Sequence, residues 1–468
     1  MKEYSILELQ KGLTEGEFTS VDLVNLYLDQ ISKFDQDGPK LDAIAEINPD
    51  VYDIARQLDY ERKTKGPRSL LHGIPLVIKD NINTFDKMHT SASSLALADF
   101  YAPNDAFVVK QLREAGAIIL GKANLSEFAY FMSFDDMPSG YGSRFGQVKN
   151  PYNEEIDPLG SSTGSAVAVA ANMIPVSIGT ETNGSLTAPA QNNSIVAIKP
   201  TLGLVSRTGI IPISHHQDTA GPLTRTVEDA AILLEQIVAV DEADLSTLIQ
   251  PEKSYTFSKT YQKSIQDLTI GFLTFDNAKY DDEETALLEE AKTVLLPEVK
   301  AIKNIHFKHP QMANHKTLIY EFKTDLNHYF ASVKETCNIS SLAELIAFNQ
   351  RDPERCLKYG QSIFEAAQAT SGTLKEREYI ELRKQLLKDA NALNRLMEKE
   401  GIDVIVMNRR TPHAPIAGNP IVAVPAKALT DLTPRSIFFV AKNFDDEKCI
   451  RVAYRYEQAT KKRVPPKL

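Results

Sequence analysis

A lysine and three serines are the residues of this chain whose types and spacing could do nucleophilic chemistry. Lys79 ends a short apolar run, Ser161 and Ser162 are neighbours in a small-residue block, and Ser185 closes a second such block. Because a serine hydroxyl is a weak nucleophile at neutral pH, it needs a base to take its proton. A lysine that burial keeps uncharged could be that base. The simpler interpretation of Lys79 alone is a side chain that reaches solvent from the exposed end of a sheet.

The first block, residues 160–165, has more than one interpretation. With the helical pattern that follows it, the block is typical of a turn that caps a helix, and its backbone N–H groups could also hold an anion. It lacks the Lys-Ser/Thr pair of a phosphate-binding loop, which disfavours nucleotide binding. Gly160, Ser162 and Gly164 also fit the nucleophile elbow of an α/β-hydrolase, so Ser162 stays open as a rival nucleophile.

The second block, residues 179–185, reads Gly-Thr-Glu-Thr-Asn-Gly-Ser and follows a short apolar run. A strand that ends in such a loop can bring successive backbone N–H groups to one point, as an oxyanion hole requires. Ser185 would then lie beside the hole as a nucleophile. Taken alone, the block is equally typical of a tight turn before a helix.

The elements that would position these residues alternate between strand and helix. Short apolar runs predict buried strands at 75–78, 117–120, 176–178, 195–198 and 404–406. Helical patterns are found at 106–115, 226–238 and 446–460, and an earlier surface helix begins at Thr19 and Ser20 and runs to Phe34. This alternation predicts an α/β fold with a mixed central sheet flanked by helices.

Composition and charge exclude some classes of function. Among the 468 residues, 52 Lys and Arg stand against 62 Asp and Glu, for a net charge of −10. This charge argues against broad attraction to nucleic acid or to an anionic membrane, and no stretch approaches the ~20 apolar residues of a membrane span. Cys337, Cys356 and Cys449 are far apart, which disfavours both a disulfide framework and a structural zinc site. We therefore expect a cytoplasmic protein with a small-molecule partner.

Taken in order along the chain, the two blocks and Lys79 resemble the amidase signature family. Four more segments carry the resemblance: Lys-Pro-Thr at 199–201, Gly-Leu-Val-Ser at 203–206, Gly-Ile-Ile-Pro at 209–212 and Gln-Asp-Thr-Ala-Gly-Pro at 217–222. The similarity continues at both ends, over 15–50, 418–425 and 456–460. Leu-His-Gly-Ile-Pro at 71–75 and Glu181, where most members have Asp, resemble most the bacterial peptide amidase branch.

The resemblance implies a catalytic triad of the Ser–cis-Ser–Lys type. Ser185 would be the nucleophile, Ser161 the bridge that follows a cis peptide bond, and Lys79 the base. The enzyme would cleave the C–N bond of a carboxamide through an acyl-serine intermediate, with neither cofactor nor metal.

The resemblance also assigns the oxyanion hole and the domain. The backbone N–H groups of Thr182, Asn183 and Gly184, with that of Ser185, would hold the tetrahedral oxyanion. The whole chain, 1–468, would be a single large domain with the amidase signature fold. Within it we expect a signature core at about 70–230 and a helix-rich variable region at about 250–400.

Departures from the family's pattern concern the substrate rather than the reaction. Asn183 stands where the family has Gly or Asp, and Leu-Thr at 186–187 replaces the common Ile-Arg. Met-Asn-Arg-Arg at 407–410 stands where members commonly read Ala-Pro-Thr. Its two arginines, Arg409 and Arg410, would suit a substrate that bears a carboxylate.

Three residues are predicted to line the substrate pocket. Phe131 and Met132 lie in the segment 129–144, which is expected on the acyl side, and core packing is the alternative for both. His215 is adjacent to His216, but adjacent residues on a strand face opposite ways and no third ligand is nearby. We therefore expect His215 in the pocket or in packing rather than in a metal site.

Several functions stay open beside the amidohydrolase, whose substrate would be a peptide amide or a small-molecule amide. The first is the glutamine-hydrolysing subunit of a tRNA-dependent amidotransferase, which the missing arginine at 187 disfavours. Another is a non-catalytic binding homologue, which Asn183 and the polar segment 191–194 suggest. The intact triad argues against this alternative. The elbow at Ser162 is the weakest, because no downstream motif supplies an Asp and a His. The oligomeric state is not predicted.

Overall fold

Strands occur along almost the whole chain. The computed structural model of the protein describes residues 2–308, 312–427 and 434–468. Within these ranges the strands are, in chain order, β1 (Ile44–Ile47), β2 (Pro75–Lys79), β3 (Ile118–Ala123), β4 (Tyr141–Gly142), β5 (Gly146–Gln147), β6 (Val176–Glu181), β7 (Val196–Lys199), β8 (Thr219–Thr224), β9 (Thr269–Phe275), β10 (Ala301–Phe307), β11 (Val404–Met407), β12 (Ile421–Pro425) and β13 (Ser436–Ala441). β4 and β5 pair with each other, and the remaining eleven strands form one sheet.

Helices connect and cover these strands. The α-helices are α1 (Ile6–Glu15), α2 (Ser20–Ile31), α3 (Val51–Lys65), α4 (Phe107–Glu114), α5 (Glu127–Tyr130), α6 (Thr163–Ala170), α7 (Thr187–Asn192), α8 (Val227–Ile237), α9 (Phe257–Thr260), α10 (Asp282–Leu295), α11 (Asn314–Ser332), α12 (Leu342–Arg351), α13 (Pro353–Cys356), α14 (Ser362–Gln368), α15 (Arg377–Ala390), α16 (Ala392–Glu400), α17 (His413–Ala417) and α18 (Asp446–Thr460). Short 3₁₀ turns lie at Leu95–Leu97, Leu245–Ile249 and Leu296–Glu298, and a π-helical turn lies at Ser32–Gln36.

The sheet is mixed. Its strand order is β1-β3-β2-β6-β8-β7-β12-β13-β11-β9-β10. β2 runs parallel to both β3 and β6, and β9 runs parallel to both β10 and β11. Antiparallel pairs join these two parallel groups through β8, β7, β12 and β13. Because β2 and β6 are parallel neighbours, their carboxyl ends meet at the same edge of the sheet.

Both faces of the sheet are covered, as alternation along its strands requires. Leu76 and Ile78 of β2 belong to the apolar cluster that packs against α4, α8 and α18. Val77 faces the other way, into the cluster formed with α2, α3 and α6. Lys79 comes two positions after Val77, so it lies on the α6 side of the sheet.

A third apolar cluster joins the helices of the later chain to the loops near the sheet edge. Phe322 and Phe330 of α11 and Phe364 of α14 are buried in it together with Phe128 and Phe131. The helix-rich part of the chain therefore packs directly onto the segment that follows β3.

The α/β fold with a mixed, helix-flanked sheet is confirmed, and the five predicted strands are present as β2, β3, β6, β7 and β11. Two local predictions differ from the structure. The helix that begins at Ser20 ends at Ile31 and continues as the π-helical turn to Gln36. The region expected to be helix-rich also contains the strands β9 and β10, which extend the sheet at its far edge. No helix among the described residues is long and apolar enough to cross a membrane.

Candidate active site

Strand pairing places Lys79 beside the second serine block. Ile78 of β2 is opposite Ile178 of β6, so Lys79 and Gly179 come next to each other at the ends of these two strands. The Lys79 side chain is fully buried. The alternative of a lysine that reaches solvent from the sheet end is therefore wrong.

Three hydroxyl groups surround the Lys79 amine. Its Nζ lies 2.8 Å from Ser161 Oγ, 3.0 Å from Ser162 Oγ and 2.8 Å from Thr180 Oγ1. Burial lowers the pKa of Lys79 to about 7, although the carboxylates of Asp218 and Glu181 oppose that shift. Near neutral pH a substantial fraction of the amine is therefore uncharged and able to accept a proton from a hydroxyl group.

Backbone contacts hold the two serine blocks together. The Gly160–Ser161 peptide bond is cis. The next residue, Ser162, precedes α6, and its backbone N–H donates to the Ser185 carbonyl at 3.2 Å. Ser161 is fully buried, whereas Ser185 is only half-buried. The geometry thus gives a lysine, a buried serine in contact with it, and a more accessible serine adjoining the same segment.

Ser162 is held differently from Ser161. Its hydroxyl donates to the Thr180 carbonyl at 2.9 Å and accepts from the Thr180 N–H at 3.1 Å. A Cβ at Gly179 would lie 2.6 Å from Ser162 Oγ, so only glycine leaves room for this contact. Since the Ser162 proton is already engaged and no described histidine is hydrogen-bonded to it, the geometry disfavours a nucleophile elbow at Ser162.

The turn between β6 and α7 presents a row of free donors. Glu181 Oε2 accepts the backbone N–H groups of Leu186 and Thr187 at 2.8 and 3.0 Å. The backbone N–H groups of residues 182–185 between them donate to no acceptor in the described part of the chain. Gly184 has φ +94°, a conformation that favours glycine. Such an array can hold an oxyanion.

Asp218 braces this turn, a contact that the sequence did not indicate. Its carboxylate accepts from Thr182 Oγ1 at 2.5 Å and from the backbone N–H groups of Ile213 and Ser214 at 2.8 and 2.9 Å. Burial raises the pKa of Asp218 to about 6, against the effect of these hydrogen bonds. Asp218 lies in the segment 217–222, which carries part of the family resemblance. That resemblance is the one sequence feature that could have identified Asp218 as a site residue.

Two cavities open beside the turn. The first, which we call the Arg410 cavity, has a volume of about 370 Å³. The second, the His215 cavity, has a volume of about 470 Å³. Residues that line the Arg410 cavity include Glu181, Asn183, Gly184, Arg410, Ile421 and Phe438. Residues that line the His215 cavity include Thr180, Thr182, His215 and Asp218.

Of the three predicted pocket residues, the structure places one on these cavities. His215 lines the cavity named after it, and its Nδ1 lies 2.8 Å from Asp325. Phe131 and Met132 are buried in the third apolar cluster, where the Phe131 and Phe322 rings are 5.1 Å apart. Both residues contribute to packing, and their contact with substrate stays a prediction.

The two adjacent histidines lie in a turn rather than on a strand. Their rings are side by side, 3.8 Å apart, so the argument that they face opposite ways is wrong. His216 is paired with Glu321 of α11, at 3.1 Å. Within the described ranges, no group of three His, Cys, Asp or Glu side chains is arranged to hold a metal ion.

The sequence match to a curated amidotransferase protein covers only part of the chain. The chain is 39% identical to a glutamyl-tRNA(Gln) amidotransferase protein of Alkaliphilus metalliredigens over 272 residues, which covers 58% of this chain and 53% of that protein. This partial similarity does not favour the amidotransferase alternative.

Similarity to amidases extends over the full length. A family model described as Amidase matches residues 22–415. A protein of Arabidopsis thaliana described as a probable amidase is 39% identical over 481 residues, which covers 100% of this chain and 92% of that protein. The solved structure of the native peptide amidase from Stenotrophomonas maltophilia superposes with a TM-score of 0.93 at 39% identity, over 99% of this chain and 98% of that one. The chain therefore belongs to the amidase family and is a hydrolase that acts on amides.

Proposed function

We propose that the protein hydrolyses primary carboxamides, C-terminal peptide amides among them, through an acyl intermediate on Ser185. One observation carries the proposal. The buried Lys79 amine contacts Ser161 at 2.8 Å, beside a turn whose four backbone N–H groups lack acceptors in the described chain. A base, a bridging hydroxyl and an oxyanion hole are thus available at one sheet edge.

In the first half of the reaction, uncharged Lys79 takes the proton of Ser161 while Ser161 takes that of Ser185. The Ser185 oxygen attacks the carboxamide carbon, and the oxyanion that forms accepts hydrogen bonds from the N–H groups of residues 182–185. As the C–N bond breaks, Lys79 returns its proton through Ser161 to the nitrogen, and ammonia leaves. The acyl group is then an ester on Ser185.

In the second half, water replaces the amine. Lys79 and Ser161 take a proton from the water as it attacks the ester carbonyl, and the same N–H groups hold the second oxyanion. When the ester bond breaks, the proton returns to Ser185 and the carboxylic acid leaves. Each cycle consumes one water and releases one ammonia, and the side chains return to their starting states.

The substrate class is supported by similarity and by site shape. The relative from Stenotrophomonas maltophilia is a peptide amidase. The half-buried Ser185 lies in a turn beside two cavities whose volumes are in the range of small-molecule sites. We assign the chemistry to a signature core at about 70–230. The helix-rich variable region at about 250–400 packs on the segment after β3. The three free, buried cysteines support a reducing compartment, and we propose the cytoplasm.

Ammonia release tests this function. The folded wild type is incubated with N-acetylphenylalanine amide, with benzamide and with glutamine, and Ser185→Ala serves as the matched control. We expect ammonia from the peptide amide with wild type and none above background with Ser185→Ala. Release from glutamine alone, or equal release by Ser185→Ala, would contradict the proposal.

A further inference from the structure

The two neighbouring arginines after β11 are in different situations. Arg409 is paired with Glu284 at 2.6 and 2.7 Å and lies 4.4 Å above the Tyr280 ring. Arg410 is exposed, lines the Arg410 cavity, and has no hydrogen bond or ion pair with the described residues. Only Arg410 therefore has its guanidinium donors available to a ligand.

Arg410 reaches the turn that carries the oxyanion donors. Its Nη1 lies 3.0 Å from the position that a Cβ on Gly184 would occupy. The guanidinium thus lies over the glycine that immediately precedes Ser185. The Arg410 cavity therefore adjoins the residue next to the proposed nucleophile.

Glu181 supplies a second polar group to the same cavity. Its Oε2 accepts the two backbone N–H groups described above, whereas Oε1 is buried and has no hydrogen-bond partner in the described chain. Partial desolvation in the cavity lowers the pKa of Arg410, against the attraction of Glu181. An arginine side chain nevertheless stays charged in proteins, because its ordinary pKa is above about 12. The cavity thus offers a cationic donor and an acceptor, with Ile421 and Phe438 on its apolar wall.

We propose that the Arg410 cavity binds the C-terminal side chain of a peptide amide and that Arg410 selects an acidic one. The carboxylate of a C-terminal Glu or Asp accepts from the guanidinium, its methylene groups lie against Ile421 and Phe438, and a substrate N–H can donate to Glu181 Oε1. This inference rests on the proposed function, because ammonia is the leaving group and the remainder of the substrate must lie on the acyl side.

If Arg410 has a structural role instead, its loss should affect activity on all amides. Residue 187 is threonine where the family commonly has arginine, so Arg410 could serve only to balance the buried charge of Glu181. Loss of that balance would lower activity on all amides alike. If Arg410 instead selects the substrate, its replacement lowers activity on acidic substrates only, chiefly by raising KM.

The experiment compares two substrates of similar side-chain length, N-acetylglutamate α-amide and N-acetylnorleucine amide, by ammonia release. The enzymes are wild type, Arg410→Gln, Arg410→Lys and, as matched control, Arg409→Gln. Wild type should prefer the acidic amide by at least about tenfold in kcat/KM, since a hydrogen bond to a charged group is worth that much. Arg410→Gln should lose the preference through a higher KM, Arg410→Lys should restore part of it, and Arg409→Gln should keep it. Added salt should reduce the preference.

Three results would overturn the inference. A wild type that hydrolyses the norleucine amide as well as or better than the acidic amide contradicts it while leaving the proposed function standing. An equal loss on both substrates in Arg410→Gln assigns Arg410 to charge balance instead. If folded wild type releases ammonia from neither amide, the proposed function fails and this inference fails with it.

Discussion

Lys79 Nζ lies 2.8 Å from Ser161 Oγ, and both residues are fully buried. Strand pairing fixes this contact, because β2 ends beside β6 and the Ser161 segment is hydrogen-bonded to the turn that follows β6. The proposed chemistry depends on this contact, because the proton of Ser185 reaches Lys79 through Ser161.

Replacing the amine should abolish activity without unfolding the protein. In Lys79→Met the side chain keeps most of its volume but cannot take a proton, so kcat should fall by about 10³ or more. Lys122→Met is the control, since Lys122 is equally buried on the neighbouring strand β3 but donates to Ile82 and Thr90 outside the site. Circular dichroism and thermal melting would show whether both variants fold. Full activity in folded Lys79→Met would exclude Lys79 as the base.

Activity should rise with pH through neutrality. The base must be uncharged, and burial lowers the pKa of Lys79 to about 7, so kcat/KM should be low well below pH 7 and level off above it. The negative charge of Asp218 raises that pKa. Asp218→Asn should therefore move the acid limb of the profile to lower pH.

The pH profile of Asp218→Asn also separates two candidates for the titrating group. The Asp218 carboxyl itself has a pKa raised to about 6 by burial. If its ionisation set the acid limb, the limb would disappear in Asp218→Asn rather than shift. Residual activity in the variant is enough for this comparison, because only the shape of the profile is used.

A side chain at Gly184 should damage the oxyanion hole. Gly184→Ala places a Cβ on a residue with φ +94°, a backbone conformation that strains any residue other than glycine. We expect the strained turn to misplace an oxyanion donor, so kcat should fall by about 10², the typical effect of losing one donor. Gly16→Ala is the control, because Gly16 also has positive φ, at +75°, but no atom lies within 4 Å of its added Cβ. It should cost about 1 kcal/mol of stability and leave kcat unchanged. Similar kcat values for the two variants would argue against an oxyanion hole at residues 182–185.

Replacing Ser161 should reduce activity much more than replacing Ser162. Ser161→Ala removes the hydroxyl proposed to carry the proton, and we expect a loss of kcat comparable to that of Lys79→Met. Ser162→Ala removes a hydroxyl group that is hydrogen-bonded to the Thr180 backbone. The variant should therefore be less stable than the wild type but should still be acylated on Ser185. If Ser162→Ala abolished acylation while Ser161→Ala retained it, the nucleophile elbow would be the better interpretation.

The residues of the candidate site could be found from sequence because they lie in short, ordered blocks. Lys79, Ser161 and Ser185 each belong to a segment whose local pattern predicts a strand end or a turn, and those elements are present. Their roles stay predictions. Thr180 and Asp218 were not singled out, since their contacts to Lys79 and Thr182 arise from strand pairing and from a distant loop.

The remaining differences have similar causes. β9 and β10 lie in a part of the chain that is mostly helical. They form strands because β9 pairs with β11, which comes much later in the sequence, and β10 pairs with β9. Phe131 and Met132 are apolar enough for either a pocket or a core. Helices α11 and α14 cover them, which no local pattern indicates.

The assignment of Ser185 as the nucleophile can be tested by intact-mass analysis after incubation with a fluorophosphonate, followed by peptide mapping. The folded wild type should gain one adduct, located on Ser185, and Ser185→Ala should gain none. An adduct on Ser162, or no adduct on folded wild type that hydrolyses amides, would contradict the assignment of Ser185 as the nucleophile.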